Sequence, residues 1–537
     1  MRCLVAFLTL AALAITAVTA GPAGAAAGDA AGRPFPQGFA WGVATSGFQT
    51  EAGGRPSNAD RGSDWWAWTH DAQNIAAGRV TADSVEDGPG DWRPAVFRRD
   101  VALARGLHAR AFRLGIEWSR VFPRSTAAVR LSTRPTRAQL RRLDRLADHG
   151  ALRRYAAMLR AVRRAGLEPF VTVDHFTLPA WLHDAPATRD ALAGRDPDAG
   201  LPAFTRPAGW LDASSVAEFR KYAAYLAWRL GRLVTYWTPL NEPLVVAASG
   251  FVNVPGVLAE NFPPGAFSYT AAITAMLRQV RANAAAYDVI HRLDRRARVG
   301  LVHNMVAFTP ADPSSAADRR AAGHATYLFD RWWLNAAVNG AIDRDGDGAV
   351  APAERDARAR GKADFIGVNY YFRGRVTALA APLSARIPVL DFLPATKYAS
   401  VAAPEAPPCP TTCSDLGSEI YPEGLTEVLR IAGSYGLPLY VTENGIADAD
   451  DDQRPAYLVR QLAVLRRAIA GGARVRGWFH WSLTDNFEWA SGYAPRFGLY
   501  AYDPATLRRT ARPSAALVRR IFGAGRLAGS ELRRYGA

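Results

Sequence analysis

Glu242 ends the run Val234-Thr-Tyr-Trp-Thr-Pro-Leu-Asn-Glu-Pro243, and Glu443 ends Pro438-Leu-Tyr-Val-Thr-Glu-Asn-Gly445. In each, apolar and β-branched residues run straight into a carboxylate, and a Pro or an Asn-Gly then breaks the strand. A strand that stops on a glutamate holds it at a fixed point on a sheet edge. Two such carboxylates suit glycosidic bond cleavage, in which one is protonated to release the leaving oxygen and the other is ionised to attack the anomeric carbon. Enzymes that retain the anomeric configuration hold the two about 5–5.5 Å apart. Each carboxylate favours protonation of the other, so the pair divides into an acid and a nucleophile. Arg113 is placed to keep Glu443 ionised, and Tyr371 to donate a hydrogen bond to it.

Those two strands belong to a longer pattern. Eight strand-like runs recur, each followed by a break and then a helical segment: Phe39–Thr45, Ala109–Trp118, Glu168–Phe176, Val234–Asn241, Val299–Asn304, Asp364–Tyr371, Pro438–Glu443 and Arg476–Ser482. Between them lie amphipathic stretches such as Tyr155–Ala165, Ser215–Leu230, Tyr269–Leu293 and Gly424–Tyr435. Strict alternation means parallel strands with crossovers, and eight such units close a (β/α)8 TIM barrel. The reading is an α/β fold: a single barrel domain over residues 32–525 with loop insertions, then a C-terminal tail, 526–537. In that fold the strand C-terminal ends face the active site. Gln49, His175, Asn241, Glu242, Asn369, Tyr371, Glu443 and Trp481 all fall at such ends, which gathers polar groups on one rim.

Hydrophobic residues make up 49% and charged residues 21% of the chain, which permits a large core and a globular body. Met1-Arg2, the apolar run Cys3 to Val18 and the small residues Thr19-Ala20 read as a secretory signal peptide. The small-residue leader continues to Ala31. The run is short for a membrane span, Cys3 stands at its start, and no other segment is long and apolar enough. A secreted, extracellular protein without a stable membrane anchor is expected. Export leaves Cys409 and Cys413, and an even count in an oxidising compartment favours a disulfide, with two free thiols as the alternative. The net charge of +16 invites a nucleic-acid partner. Its arginines are scattered over helical stretches such as Arg137–Arg154 with few exposed aromatics beside them, so solvated helix faces are the better reading and no nucleic-acid partner is expected.

Six motifs then resemble glycoside hydrolase family 1, the β-glucosidase family, in its order and spacing from about Phe35 to Tyr502. They are Phe39-Ala-Trp-Gly-Val-Ala-Thr-Ser-Gly-Phe-Gln49, Phe112-Arg-Leu-Gly-Ile-Glu-Trp-Ser-Arg120, Thr238-Pro-Leu-Asn-Glu-Pro243, Phe365-Ile-Gly-Val-Asn-Tyr-Tyr371, Val441-Thr-Glu-Asn-Gly445 and Trp481-Ser-Leu-Thr-Asp-Asn-Phe-Glu-Trp489. Phe262-Pro-Pro-Gly265 looks nearest the archaeal-type β-glycosidase branch. The resemblance implies Glu242 as acid/base and Glu443 as nucleophile. It further implies Gln49, His175, Asn241, Glu488 and Trp489 on the hydroxyls of the terminal sugar, Trp481 stacked on its face, and Asn369 and Tyr371 beside the nucleophile. It implies no cofactor for the chemistry. Phe176, Asp174 and the extra Ala in Gln49-Thr-Glu-Ala-Gly53 depart from the commonest form, which bears on fine specificity.

The expected activity is thus that of a retaining β-glycosidase, foremost a β-glucosidase, acting on small-molecule β-glycosides or oligosaccharides. A β-galactosidase or a transglycosylating member is the alternative. A phosphorylated sugar is disfavoured because Glu488 would repel it and no lysine is expected nearby. A sugar-binding protein on the same fold would lack one carboxylate, whereas both are present.

Two segments stand outside the alternation. Leu379–Glu419 is Ala/Pro-rich, carries the cysteine pair and lies on the active-site side, where it is expected to form part of the pocket rim. Asp343-Arg-Asp-Gly-Asp-Gly-Ala-Val-Ala-Pro-Ala-Glu354 matches the EF-hand loop D-x-D-x-D-G-x5-E. That pattern predicts a structural Ca2+ held by Asp343, Asp345, Asp347, the Ala349 carbonyl and Glu354. A helix over Leu328–Gly340 is expected to lead in and one over Ala353–Arg360 to lead out. An acidic Asp-Gly turn is the plainer reading of the same residues.

Overall fold

Strands β1 (Ala40–Ala44), β2 (Ala111–Gly115), β3 (Glu168–Asp174), β4 (Tyr236–Leu240), β5 (Arg298–Pro310), β6 (Phe365–Ala378), β8 (Leu439–Asn444) and β9 (Val475–Trp481) form a closed wall in this computed structural model. The structure describes residues 30–253, 261–379, 390–395, 397–400 and 405–537. Every barrel pairing is parallel, and β5–β6 closes the ring. All eight expected strands are present, each within a few residues of its expected bounds except that β5 and β6 run on past the rim. There β6 carries the short antiparallel strand β7 (Phe392–Ala395).

Two-sided burial explains the near-continuous apolar runs. Along β2, Phe112 and Leu114 face the helices while Ala111 faces the barrel axis. The end of the barrel at the strand N-termini is filled by rings from four strands: Phe170 stacks on Tyr236 at 4.2 Å, and Phe365 and Tyr440 pack at 5.2 Å. The opposite end carries the polar residues. An aromatic plug below and a polar mouth above leave one rim for chemistry.

The helices Ser215–Leu230 and Tyr269–Leu293 have their expected bounds, and Gly424–Gly433 ends two residues early. The last residues, read as a tail, form the helix Gly529–Tyr535 instead. It lies against helix Arg454–Ala470, and Leu527 before it is buried. Ala31, at the end of the expected leader, is fully buried in the core, while residues 1–29 lie outside the described residues. Among the described residues, no helix is long and apolar enough to cross a membrane.

Candidate active site

Glu443 reaches the mouth through an irregularity in its strand. Val441 faces the helices, and simple alternation would send Glu443 the same way. The register of β8 shifts on both sides, against β6 between Val368 and Asn369 and against β9 between Val441 and Asn444. A bulge of this kind re-aims a side chain, and here it sets Glu443 opposite Asn369. Glu242 arrives by another route. It has φ 45° and ψ 56°, a left-handed conformation unusual for a residue with a Cβ, at the turn from β4 into helix Pro243–Phe251. Its N–H donates to the Val302 carbonyl at 3.0 Å, which fixes the turn to β5.

A continuous hydrogen-bond network joins the two carboxylates. Fully buried Arg113 donates to Glu443 Oε1 in a short ion pair, to Asn241 Oδ1 at 2.6 Å and to Thr172 Oγ1 at 3.1 Å. Tyr371 donates to Glu443 Oε2 at 2.5 Å, so both carboxylate oxygens of Glu443 are engaged. The Asn369 amide donates to Glu242 Oε1 at 2.5 Å and, more weakly, to Asn241 Oδ1 at 3.3 Å, while Thr442 donates to its carbonyl at 2.7 Å. Asn304, at the mouth end of β5, also hydrogen-bonds Glu242. Sequence reading did not single out Asn304, although an amide at a strand's C-terminal end is the same signal that marked Asn241 and Asn369.

The electrostatics separate the pair. Burial first, and then the charge of Glu443, push Glu242 up to about 8, against the opposing pull of Asn369, Arg113 and Asn304. Glu242 therefore keeps a proton at neutral pH, while Glu443 is bound to a guanidinium. An acid and an anion beside each other are what the two-carboxyl reaction needs.

The residues read as sugar-binding converge on the same mouth. Asn241 Nδ2 lies 3.3 Å from His175 Nε2, and burial with the nearby Arg113 holds His175 neutral. His175 Nδ1 is buried without a protein partner, a polar atom open to a hydroxyl. Gln49 is engaged by the protein itself: it accepts from Ser46 Oγ at 2.7 Å and donates to Asn486 Oδ1 and the Phe487 carbonyl at 3.0 Å, with Glu488 Oε2 at 3.5 Å. Trp481 and Trp489 each lie near-parallel to the His175 ring at 5.9 Å. Trp489 also packs into a shell with Phe48, Trp65 and Phe176.

The insertion after β6 adds a residue that sequence reading discounted. Cys409 and Cys413 are joined by a disulfide, and Cys413 pairs with Glu419 in a β-bridge. Burial alone would raise Glu419, but Arg373 and Arg375 overcome it and hold the carboxylate at about 2. Burial pushes Glu488 up to about 8, against the opposing charge of Lys397 on the same insertion. The expectation that no lysine stands near Glu488 is therefore corrected. Residues 380–389, 396 and 401–404 of the insertion lie outside the described residues.

The acidic loop only partly matches its pattern. One carboxylate oxygen from each of Asp343, Asp345 and Glu354 lies within 4.8 Å of the others, a set suited to a hard cation. Asp347 is outside this group, and its Oδ1 accepts from the Ala349 N–H at 2.7 Å. The incoming stretch is helical through Asn339. The expected outgoing helix over Ala353–Arg360 is absent: a single 3-10 turn, Pro352–Glu354, gives way to a bridge between Ala341 and Arg355. That bridge ties the two ends of the loop together and takes the backbone that a helix would have used.

Comparison with known proteins gives a consistent result. The family model described as Glycosyl hydrolase family 1 matches residues 31–190 and 201–524. A beta-galactosidase of Pyrococcus woesei is 35% identical over 508 residues, covering 90% of this chain and 96% of that protein. Beta-glucosidase A of Thermotoga maritima is 28% identical over 506 residues, covering 90% and 96%. The crystal structure of the beta-glycosidase from the hyperthermophile Thermosphaera aggregans superposes with a TM-score of 0.80 at 33% identity, covering 94% of this chain and 99% of that one.

Proposed function

The chain belongs to glycosyl hydrolase family 1, and from that premise we propose that Glu242 is the acid/base and Glu443 the nucleophile of its retaining β-glycosidase reaction. The observation that carries the assignment is the network running Glu242–Asn369–Asn241–Arg113–Glu443, which leaves one carboxyl protonated and the other ion-paired. Glu443 attacks the anomeric carbon while Glu242 gives its proton to the departing oxygen. Water, deprotonated by Glu242, then releases the sugar with its configuration retained. The chemistry needs no cofactor. His175, Gln49, Asn241, Glu488 and Trp489 serve the hydroxyls of the terminal sugar, and Trp481 its apolar face.

β-Glucosides are the proposed main substrates. β-Galactosides are the second reading, favoured by the names of relatives such as the Pyrococcus woesei protein. A panel of chromogenic β-glycosides ranks the two. The role of Glu443 is tested by Glu443→Ala, which is expected to lose on the order of 10⁴-fold in turnover. A small external anion such as azide is expected to restore turnover, giving a glycosyl product of inverted configuration. Near-normal unaided turnover would overturn the assignment.

Two further readings rest on sequence pattern. The apolar leader supports secretion. The acidic loop supports a structural Ca2+ on Asp343, Asp345 and Glu354, with Asp347 and the Ala349 carbonyl joining only if the loop tightens around the ion.

A further inference from the structure

Glu117 is buried just beyond the end of β2. Its Oε1 accepts from the Phe48 N–H at 2.9 Å and its Oε2 from the Thr177 hydroxyl at 2.6 Å. One carboxyl therefore ties together two segments that are far apart in sequence. Phe48 precedes Gln49 in the short helix Gly47–Glu51, and Thr177 closely follows His175. Trp489 lies against both segments: its ring is parallel to Phe48 at 5.9 Å and edge-on to Phe176 at 5.1 Å. Gln49, His175 and Trp489, all read as holding the terminal sugar, thus rest on what Glu117 joins.

The local sequence explains why a carboxyl is needed there. The first N–H groups of a helix have no acceptor within it, and the N-cap side chain ordinarily supplies one. Ser46 occupies that place but makes no capping bond; its hydroxyl donates to Gln49 Oε1 at 2.7 Å instead. Glu117 accepts the Phe48 N–H in its place, which frees Ser46 to orient the Gln49 amide. Two glycines permit the approach. A Cβ on Gly47 would collide with the Glu117 carboxyl, and one on Gly115 would lie 2.9 Å from the Gly47 nitrogen. The backbone of Glu117 is itself anchored, its N–H donating to the Tyr155 hydroxyl at 3.0 Å.

We propose that Glu117 is a positioning residue for sugar binding: it sets Gln49 and His175, and through Phe48 and Phe176 also Trp489, in their places around the terminal sugar. The proposal rests on the β-glycosidase reading of this mouth. Burial and the charges of Glu51 and Asp60 raise Glu117, against Thr177 and Arg120, and the role is the same in either protonation state. Oε1 accepts from Phe48 in both, and a protonated Oε2 donates to the Thr177 hydroxyl where an ionised one accepts from it.

The full chain carrying Glu117→Met, Glu117→Gln, Gly47→Ala, Gln49→Ala and the double Glu117→Met/Gln49→Ala tests this. KM and kcat are measured on an aryl β-glucoside, and Tm by thermal unfolding. Glu117→Met keeps the bulk and loses both bonds. It is expected to raise KM about tenfold with a smaller change in kcat, as lost binding to the sugar requires. Glu117→Gln still accepts from Phe48 and donates to Thr177, and is expected to bring KM back to within about twofold of wild type. Gly47→Ala crowds the same carboxyl from the other side and is expected to raise KM in the same way, so the test stands even where Glu117→Met folds poorly. With Gln49→Ala already present, Glu117→Met is expected to add less than about threefold, because much of its effect passes through Gln49. A lowered Tm with unchanged KM in Glu117→Met and Gly47→Ala overturns the proposal, as does a rise in KM undiminished in the Gln49→Ala background. A Glu117→Gln chain that behaves like Glu117→Met overturns it too. A wild-type chain that hydrolyses no β-glycoside would bring down the glycosidase reading instead. Crystal structures of wild type and Glu117→Met then decide: Gln49 and His175 displaced by about 0.5 Å or more support the positioning role, and unmoved side chains overturn it.

Discussion

At the scale of single residues, the division of labour proposed for the two glutamates follows from their surroundings. Glu242 is buried beside an anion, which together favour its proton over the opposing pull of its amide neighbours, whereas Glu443 has a guanidinium on one oxygen and a phenol on the other. Glu242→Gln removes the acid but keeps the shape. It is expected to slow glycosides with poor leaving groups on the order of 10²–10⁴-fold and activated aryl glycosides far less, since the latter depart unprotonated. Equal slowing of both classes, measured by steady-state kinetics, would make Glu242 a binding residue. Because Glu242 must carry its proton and is pushed up to about 8, activity on poor leaving groups is expected to fall as pH rises through that value. Neutralising the neighbour tests the cause: in Glu443→Gln the pKa of Glu242 is expected to drop, since one of the charges raising it is gone. Carbon NMR titration of labelled glutamate reads the shift, and an unmoved Glu242 would assign its elevation to burial alone.

At the scale of elements, a strand end followed by a break is a one-dimensional signal, which is why β4 and β8 could be read with their carboxylates in place. The bulge that turns Glu443 inward was not legible, because period-2 alternation through Val441 points the other way. Lys397 was not legible either. The insertion carries no periodic pattern, so the influence of its Lys397 on Glu488 arises only once the chain is folded. The acidic loop shows the reverse failure, where a matched motif does not bring its usual element. Pro352 and the Ala341–Arg355 bridge end the segment before an outgoing helix forms. A cation there has three preformed carboxylates and must draw in the rest. Calcium at 100 times its Kd would add about 2.7 kcal/mol of stability. The expected outcome is a higher Tm with calcium than with chelator, unchanged kcat in both, and loss of the difference in Asp345→Ala. Superimposable melting curves and no heat of binding would leave the loop a turn.

At the scale of the whole molecule, the two ends of the described chain meet on the side away from the chemistry. The Phe35 N–H donates to the Gly525 carbonyl at 2.8 Å, and Phe522 stacks on Trp41 of β1 at 4.7 Å. The final helix completes this contact: Leu527 is 1% exposed, Leu532 and Tyr535 pack on the core, and Arg460 donates to the Tyr535 carbonyl at 2.8 Å. In sequence the stretch is short, arginine-rich and follows Gly525, which is why it reads as a tail. Its apolar residues have partners only once helix Arg454–Ala470 is in place. Burying a leucine fully is worth about 1.5–3 kcal/mol, so losing Leu527 together with two partly buried neighbours is expected to cost about 3–5 kcal/mol. A chain ending at Gly525 is therefore expected to melt several degrees lower than the full chain. Its KM and kcat at 25 °C are expected to stay unchanged, because the mouth lies at the strand C-termini and this contact at the start of β1. Thermal unfolding paired with kinetics on one aryl β-glucoside reads both. An unaltered Tm would mean the helix merely rests on the surface. A fall in kcat with Tm intact would mean that the contact reaches the barrel mouth through β1 and the short helix Gly47–Glu51 after it, which carries Gln49.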